Sequence, residues 1–569
     1  MQHLPAVKRY LVSNLTGGGM SLKQDLLKQL SQLKNERQSF EPHWKELAEY
    51  TRPRSTRFNT SEVNRGDRRN TKIIDQEAAK SERTLSSGMM SGITSPARKW
   101  FRLATPDPDM MNYSPVKMWL EVVEQRMNEV FNRSNIYQSL PQTYSDIGTF
   151  ATSALAVLED NERVIRTVPF PVGSYYIANG PDLTVDTCFR EFSMTVRQLV
   201  MEFGLDNVSG QVKSLWDSGN YSQWITVIHS VYPNLNRISG KLDAKNKLFK
   251  SVYFEMGGDS DRVLRESGFD EFPIMAPRWE VNGEDVYGSS CPGMIALGSV
   301  KALQLLQRRK AQQIDKVTNP PMQAPASIKN QRISLVPGGI TYLPMAGADQ
   351  MIKPIFQVQA DINGLIADIG DTRNQIKEAY FSDLFMMMQS VNTRSMPVEA
   401  VIEMREEKLL MLGPVLQRLD SELLDKLINR TFAIMARKNL LPVPPDEMQG
   451  MQLKVEYISV MAQAQKSVGV NSIERFVGFV GGLANMKPEA LDKLNTDEMI
   501  DNYAESIGVS PTIVSSNDQV AAIRQQRAEQ QQQMQQMQMA QEAISGAQAL
   551  GNTPMDDNSA LAALAGGGQ

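Results

Sequence analysis

Two cysteines and three histidines in 569 residues leave little material for several kinds of chemistry. Cys188 and Cys291 can form at most one bridge, so no disulfide framework holds this chain together. His3, His43 and His229 are scattered without the spacing of a zinc site. No run approaches the ~18–20 apolar residues that cross a bilayer, so no membrane span is predicted. There is no G-x-S-x-G, H-E-x-x-H or G-x-G-x-x-G. The nearest approach to a phosphate-binding loop is Gly240-Lys241, but Leu242 follows it and Leu235 stands where the upstream glycine is needed. His43 falls in an amphipathic helical pattern and His229 in a strand-like run from Trp224 to Tyr232, so each reads as structural rather than as a base. The sequence therefore predicts no catalytic residue, no cofactor and no metal. It also lacks an excess of positive charge. Lys plus Arg number 60 against 64 Asp plus Glu, a net charge of −4, whereas a protein that coats nucleic acid needs many surplus cations.

What is present is length with an ordinary globular composition. With 41% apolar and 22% charged residues, the chain exceeds one core and predicts several domains. Residues 1–19 end in Thr16-Gly17-Gly18-Gly19 and read as a flexible extension, with Met20 as an alternative start. Leu22, Leu26, Leu30, Leu33, Trp44 and Leu47 recur at helical spacing up to Tyr50. Residues 52–72 are basic (Arg52, Arg54, Arg57, Arg65, Arg68, Arg69, Lys72). Without interleaved aromatics they read as a solvated or salt-bridged strip rather than a nucleic-acid contact. Helices are predicted over 73–92 and 114–131. From about 150 the texture changes to short β-type runs at 154–159, 164–169, 175–178, 183–192, 224–232, 249–255 and 263–266, with a helix at 195–204. That predicts an antiparallel sheet packed on helices.

After Gly283 the pattern is helical again. One segment, Met294 to Val317, stops at Asn319-Pro320-Pro321, because proline cannot continue the ladder. Residues 320–355 form an irregular, β-prone excursion, and Gln357 to Phe385 reads as a second helix. A short non-helical piece follows from Met386. Pro397 opens a third helix to about Asn439, with a kink expected at Gly413-Pro414. The first two helices would each span ~35–45 Å, long enough to leave the body as a hairpin with a tip. A lone hairpin buries its apolar stripe poorly, so copies packed side by side in a ring are expected. Residues 455–520 read as short helices broken at Gly481-Gly482. Residues 525–541 are Gln- and Met-rich, helical or disordered, and 545–569 form a Gly/Ala tail.

Four stretches in this order resemble the portal (head-to-tail connector) proteins of short-tailed bacteriophages: Trp44 to Pro53 (WKELAEYTRP), Pro171 to Ile177 (PVGSYYI) leading into Asp186 to Glu191 (DTCFRE), Glu399 to Leu416 with Glu422 to Asp425, and Val520 to Arg527 (VAAIRQQR). The resemblance covers most of the chain, and its specificity lies in the combination. It implies an α+β, predominantly α, multidomain portal fold. A flexible extension (1–19) would precede a wing (20–285), a descending stem helix (286–318), a clip (319–355) and an ascending stem helix (356–385). A channel loop (386–396), a kinked wing helix (397–445), a crown (446–520) and a barrel helix or disordered tail (521–569) would complete it. It further implies a dodecameric ring at one vertex of the virion, assembled in the host cytoplasm with capsid and scaffold proteins. Double-stranded DNA would pass through it without sequence recognition, driven by a separate terminase, and tail adaptor proteins would dock on it.

A duplex in transit must be centred but not held, and a mildly acidic wall serves that better than a cationic one. The second stem helix carries Asp361, Asp368, Asp371, Glu378 and Asp383 against Arg373 and Lys377, whereas the first carries Lys301, Arg308, Arg309, Lys310 and Lys316. Pairing between neighbouring copies is the favoured reading of these opposite charges. In the loop, Met386, Met387, Met388, Gln389, Asn392, Thr393 and Arg394 are candidates for close approach to DNA, the methionines serving equally well as interface packing. Pro321, Met322, Ile328, Ile333 and Met345 suit docking of an adaptor or terminase, or packing of clip on clip. Two rival classes are an ATP-driven DNA translocase subunit, which would need a nucleotide site, and a scaffold or adaptor protein working through its Gln/Met-rich end.

Overall fold

The computed structural model describes residues 21–59, 66, 71–97, 99–105, 107, 110, 113–238, 240–241, 243–259, 261–323, 329, 353–354, 362–389, 412–448, 454–457, 473–483, 487, 489, 494–507, 513–515 and 517–551. The chain divides into two compact units. One holds residues 1–104, 122–443 and 454–465, the other 105–121, 444–453 and 466–569. The class is α+β, mostly α.

In the first unit, α1 (Leu22–Arg37) and α2 (Glu41–Tyr50) are separate helices with a turn between them. Helix α3 (Glu77–Ile93) follows, then β1 (Phe101–Ala104), α4 (Ser114–Arg133, of which residues 122–133 belong to this unit) and α5 (Ile136–Phe150). Strands β2 (Leu155–Asp160), β3 (Val164–Pro169), β4 (Tyr175–Asn179) and β5 (Val185–Thr195) come next, before α6 (Val196–Phe203) and α7 (Gly210–Asp217). Strands β6 (Trp224–Pro233), β7 (Phe249–Glu255), β8 (Arg265–Phe269) and β9 (Ile274–Met275) complete the run. The strands β4-β5-β6-β7-β8 form one antiparallel sheet in chain order, and β3-β2-β9 a smaller one. Because side chains alternate along a strand, Ile228 and Val227 enter different cores. Ile228, Val252 and Phe254 meet Leu26, Leu30 and Leu33 of α1. Val227 joins Val196, Leu199, Phe203 and Val212 of α6 and α7. Each fully buried leucine contributes about 1.5–3 kcal/mol. Helix α6 is started by a capping box in which Thr195 and Gln198 satisfy each other's backbone N–H groups.

Helix α5 was not legible as a helix, since Pro141 lies inside it. Pro141 is the sixth residue of this helix, past the first-turn donors that lack intrahelical partners, so the helix forgoes the bond to the Tyr137 carbonyl there. Helix α8 (Pro292–Thr318) opens with proline in its first turn. Gly293 lets it pass α5, for a Cβ there would stand 2.6 Å from the Thr149 carbonyl oxygen. A two-residue ribbon, β10 (Met322–Gln323) with β11 (Lys353–Pro354), links it to α9 (Ile362–Ala379).

The expected single helix ending at Phe385 is in fact broken. Helix α9 stops at Ala379, Phe381 takes a left-handed φ of 53°, and α10 (Ser382–Gln389) continues from there. Met386, Met387, Met388 and Gln389 are therefore helical, not part of an irregular loop. The remaining loop residues, Asn392, Thr393 and Arg394, lie outside the described residues. A further helix covers 412–419, a π turn at Asp420–Leu424 and α11 (Asp425–Arg437). Gly413 and Pro414 sit in the first turn described, and the residues before them, on which the expected kink depends, lie outside the described set. Strand β12 (Lys454–Tyr457) pairs antiparallel with β1.

The second unit contains α12 (473–483), α13 (Thr496–Ile507) and α14 (Asn517–Gly551). Gly481 and Gly482 are helical rather than a break, and the Gln/Met-rich stretch is one helix reaching Gly551. Within this unit Tyr503 Oη donates to Glu474 at 2.8 Å. Arg524 pairs with Asp497 through both Nη atoms, at 2.6 and 2.7 Å.

Candidate functional site

Helices α8 and α9 run antiparallel. Ser299 of α8 bonds Gln375 of α9 at 3.3 Å, and Gln304 and Gln307, further along α8, share a partner with Arg373, earlier in α9. Their near ends are rooted: Ala296, Leu297, Val300, Leu303 and Gln304 of α8 and Ile369, Thr372 and Ile376 of α9 are buried. Beyond Gln304, α8 is almost wholly exposed, including Leu305, Ile314 and Val317, and so is Ile366 at the facing end of α9. At 1.5 Å per residue, the exposed 305–318 segment extends roughly 20 Å. The hairpin leaves the body over part of its length, shorter than the full helices led one to expect.

The shared partner is Asp75, just ahead of α3. Gln304 Oε1 accepts from the backbone N–H groups of Ile74 and Asp75 (2.7 and 2.8 Å), and its Nε2 donates to the Asp75 carbonyl. The Asp75 carboxylate accepts from Gln307 (2.7 Å), Arg373 (2.8 Å) and the Glu77 N–H. Burial pushes this carboxyl up, but the bonds from Glu77, Arg373 and Gln307 together outweigh it and hold it below the usual range. Lys377 approaches Glu77 at 3.9 Å, and Lys301 meets Glu46 at 2.5 Å. Lys301, Arg373 and Lys377 are thus answered within the chain by Glu46, Asp75 and Glu77.

Turning Arg373 and Lys377 toward the body changes what α9 shows outward. Asp368, Asp371, Gln375 and Glu378, spaced three, four and three, share one helix face and are exposed. Within that face Gln375 Nε2 donates to Asp371 at 3.1 Å. The exposed face is acidic and its cations are spent on the other side. Asp361 lies outside the described residues. On α8, Arg308, Arg309 and Lys316 are exposed and Lys310 half-buried.

Helix α10 seats on α3 through a slot. A Cβ at Gly88 would stand 2.1 Å from the Phe385 ring, so only glycine admits that ring. Met386 is exposed and lines an open groove of about 690 Å³ with Thr51, Pro53, Ile73, Lys80 and Arg83. Under it, Arg52 pairs with Asp146 at 2.5 Å and lies 3.9 Å from Glu82. Burial lifts the Asp146 carboxyl to about 6 despite Arg52. The basic strip at 52–72 thus spends Arg52 internally, and Lys72 pairs with Glu49. Of the clip candidates, Pro321 and Met322 are exposed, and Ile328, Ile333 and Met345 lie outside the described residues.

The helix through the π turn is pinned by buried ions that sequence reasoning missed. Arg278 donates to Glu422 from its backbone N–H (2.9 Å), Nε and Nη2 (2.6 Å), and to Asn179, Leu183 and Val286. Arg430 donates to the Val157 carbonyl at 2.7 Å and to Glu271. At the same turn Asp420 and Asp425 each have a buried carboxyl oxygen without a partner among the described residues. Burial first, and the neighbouring Asp425 second, lift Asp420 to about 6. Its folded value thus exceeds an unfolded one near ~4, so its stabilising contribution is complete below pH ~4 and is lost as pH rises through 6. Asp420→Asn, which keeps the neutral form, should melt with the parent at pH 4. At pH 8 it should gain about 1 kcal/mol after discounting for solvent screening. Equal melting at pH 8 would contradict this.

Cys188 and Cys291 are free and buried, and burial lifts both thiols to about 12. His229 stacks on Tyr253 at 3.8 Å and bonds Ser251, and burial drops it to about 3. Among the described residues no three His, Cys, Asp or Glu side chains converge as a metal site, and no helix is long and apolar enough to cross a membrane.

Two relatives align along nearly the whole chain. The Portal protein of Salmonella phage epsilon15 is 64% identical over 543 residues, covering 95% of this chain and 98% of its own. The Probable portal protein of Bordetella phage BPP-1 is 45% identical over 536 residues, covering 94% and 96%. The family model for bacteriophage head to tail connecting protein matches residues 23–514. The chain belongs to the bacteriophage head-to-tail connecting proteins.

Proposed function

We propose that this chain is a portal subunit. Twelve copies close into a ring at one capsid vertex, through which DNA is packaged by a separate terminase and later ejected, with tail adaptors docking at its outer end. Residues 20–285 and 397–445 make the wing, 286–318 and 356–385 the stem, 319–355 the clip, 386–396 the channel loop and 446–520 the crown. The observation that carries this reading is the two-sidedness of α9. Arg373 and Lys377 are fixed to the body while Asp368, Asp371 and Glu378 are left outward. Repeated around an axis, that face makes bands of negative potential that repel phosphate and keep a duplex centred. The exposed Leu305, Ile314, Val317 and Ile366 give the hairpin apolar surface for its neighbours. Arg308 and Arg309 are available to acids of the adjacent copy.

The ring acts by shape and charge, and the energy for DNA movement comes from the separate motor. Purified chain should run as a particle of about 760 kDa, twelve copies of 63.6 kDa, with a central hole in negative stain. It should not retain ATP. A compact lone subunit under all assembly conditions would refute the proposal, and stoichiometric nucleotide binding would favour a translocase.

A further inference from the structure

Among the described residues, Arg37, Arg278 and Arg430 are the fully buried arginines, and each holds a carboxylate of its own chain. Arg37 pairs with Glu41 at 2.7 Å, Arg278 with Glu422 at 2.6 Å and Arg430 with Glu271 at 3.0 Å. Arg190 of β5 has no such partner among the described residues. Its guanidinium carbon lies 4.3 Å from the centre of the Phe170 ring and 4.6 Å from that of Phe192. These rings offset part of the cost of burying the charge, but they bring no negative group. Nor do its neighbours. Across the sheet Arg190 is in register with His229, His229 with Tyr253 and Tyr253 with Arg265, which places the four in one row on one face. Arg265 is taken by Glu202 at 3.0 Å. The adjacent acid, Glu191, projects from the other face of the strand and pairs with Lys34 at 2.9 Å. Burial pulls the Arg190 pKa below its usual value, and Arg57 nearby adds to that. Of its three nitrogens only Nε is buried without a partner, and the residue as a whole is half-buried, so a counter-ion can still reach the two Nη atoms from outside.

We propose that Arg190 is an anion-binding site completed by a carboxylate from a second copy of this chain. The Nη edge of a guanidinium presents two parallel donors that match a carboxylate, the group this chain already sets against Arg37, Arg278 and Arg430. With 64 Asp plus Glu against 60 Lys plus Arg, a neighbouring copy has acids left over for the contact. A ring sets a neighbour on each side of every copy, and a head-to-tail contact brings an acid on one surface to Arg190 on another. The isolated subunit then carries the cost of a guanidinium without a counter-charge, and the ring removes it. This site rests on the ring reading above and names a residue that ties copies together in the first unit.

Arg190→Met keeps an apolar side chain against the two rings and removes the charge. The dissociated variant should melt no lower than the dissociated parent, because no buried charge is left without a partner. Its rings should need about tenfold or more protein to assemble, read by light scattering. Arg190→Lys keeps the charge without the fork and should assemble at an intermediate concentration. In its rings, a carbodiimide should join the new amine at position 190 to a carboxylate of another copy. That link is read as a covalent dimer on a denaturing gel, its joined peptide identified by mass spectrometry. Arg190→Met rings that form as readily as the parent's would overturn the proposal and leave the ring standing. So would lower melting of dissociated Arg190→Met, which would confine the residue's role to one subunit, or Arg190→Lys rings without that crosslink. Inorganic phosphate that raises the melting point of the parent but not of Arg190→Met, with ring formation unchanged, would give the site to a free ion and overturn it too. No ring from the unsubstituted chain would remove the ring reading and this one together.

Discussion

Replacing Glu422 by alanine should cost on the order of 3–5 kcal/mol, as expected when one partner of a buried ion pair is removed. The Arg278 side chain is 2% exposed, and Glu422 receives three of its N–H groups. Without the carboxylate, the guanidinium keeps Asn179, Leu183 and Val286 but carries an uncompensated charge, and its backbone N–H loses its acceptor. The pair joins the helix through the π turn to the edge of the sheets, so this helix should loosen first. A π turn inserts one residue into the helical register. It falls where Glu422 reaches Arg278 while Arg430, two turns later, still reaches Val157. Arg278→Met/Glu422→Met should be less damaging than Glu422→Ala alone, because no buried charge is stranded. Chemical unfolding of the parent, both single variants and the double variant checks this. Singles no worse than the double would show that the pair contributes nothing.

The second large effect is functional. Asp368→Lys/Asp371→Lys/Glu378→Lys changes each copy by six charges on exposed side chains of α9 and leaves Gln375, which bonds Ser299 of α8, in place, so folding and ring assembly should persist. Passage of DNA should not. Each new phosphate contact adds about 0.9 to the salt slope of binding, and a ring multiplies the contacts. Packaged DNA per particle should fall about tenfold or more at physiological salt and recover partly at higher salt. Conservative Asn and Gln replacements at the same positions should package far better than the lysine variant. Unchanged packaging with lysines would place this face away from the duplex.

Strands β2 to β8 were legible within a few residues because alternation and flanking Pro, Gly and Asn define them locally, whereas β1 and β9 were missed and β12 falls where short helices were expected. Residues 224–232 and 249–255 correspond to β6 and β7. Element breaks that rest on one unusual backbone angle were not legible. Phe381 at φ 53° is not a glycine and carries no turn signature, so α9 and α10 read as one helix. Gly481 and Gly482 erred the other way, their low helix propensity being overridden in α12. The family was legible across the whole chain. The α9 charge pattern was visible, but the destination of Arg373 was not. Its partner Asp75 lies 298 residues away, and no local signal announces it. Arg278 and Glu422, 144 residues apart, were invisible for the same reason.

One averaged reconstruction of the assembled particle decides whether identical α8–α9 hairpins wall a tunnel. It should show Asp368, Asp371 and Glu378 lining the lumen, with Arg373 and Lys377 turned back to Asp75 and Glu77. A lumen lined instead by Arg308, Arg309 and Lys316, or a particle with no central opening, would contradict the account.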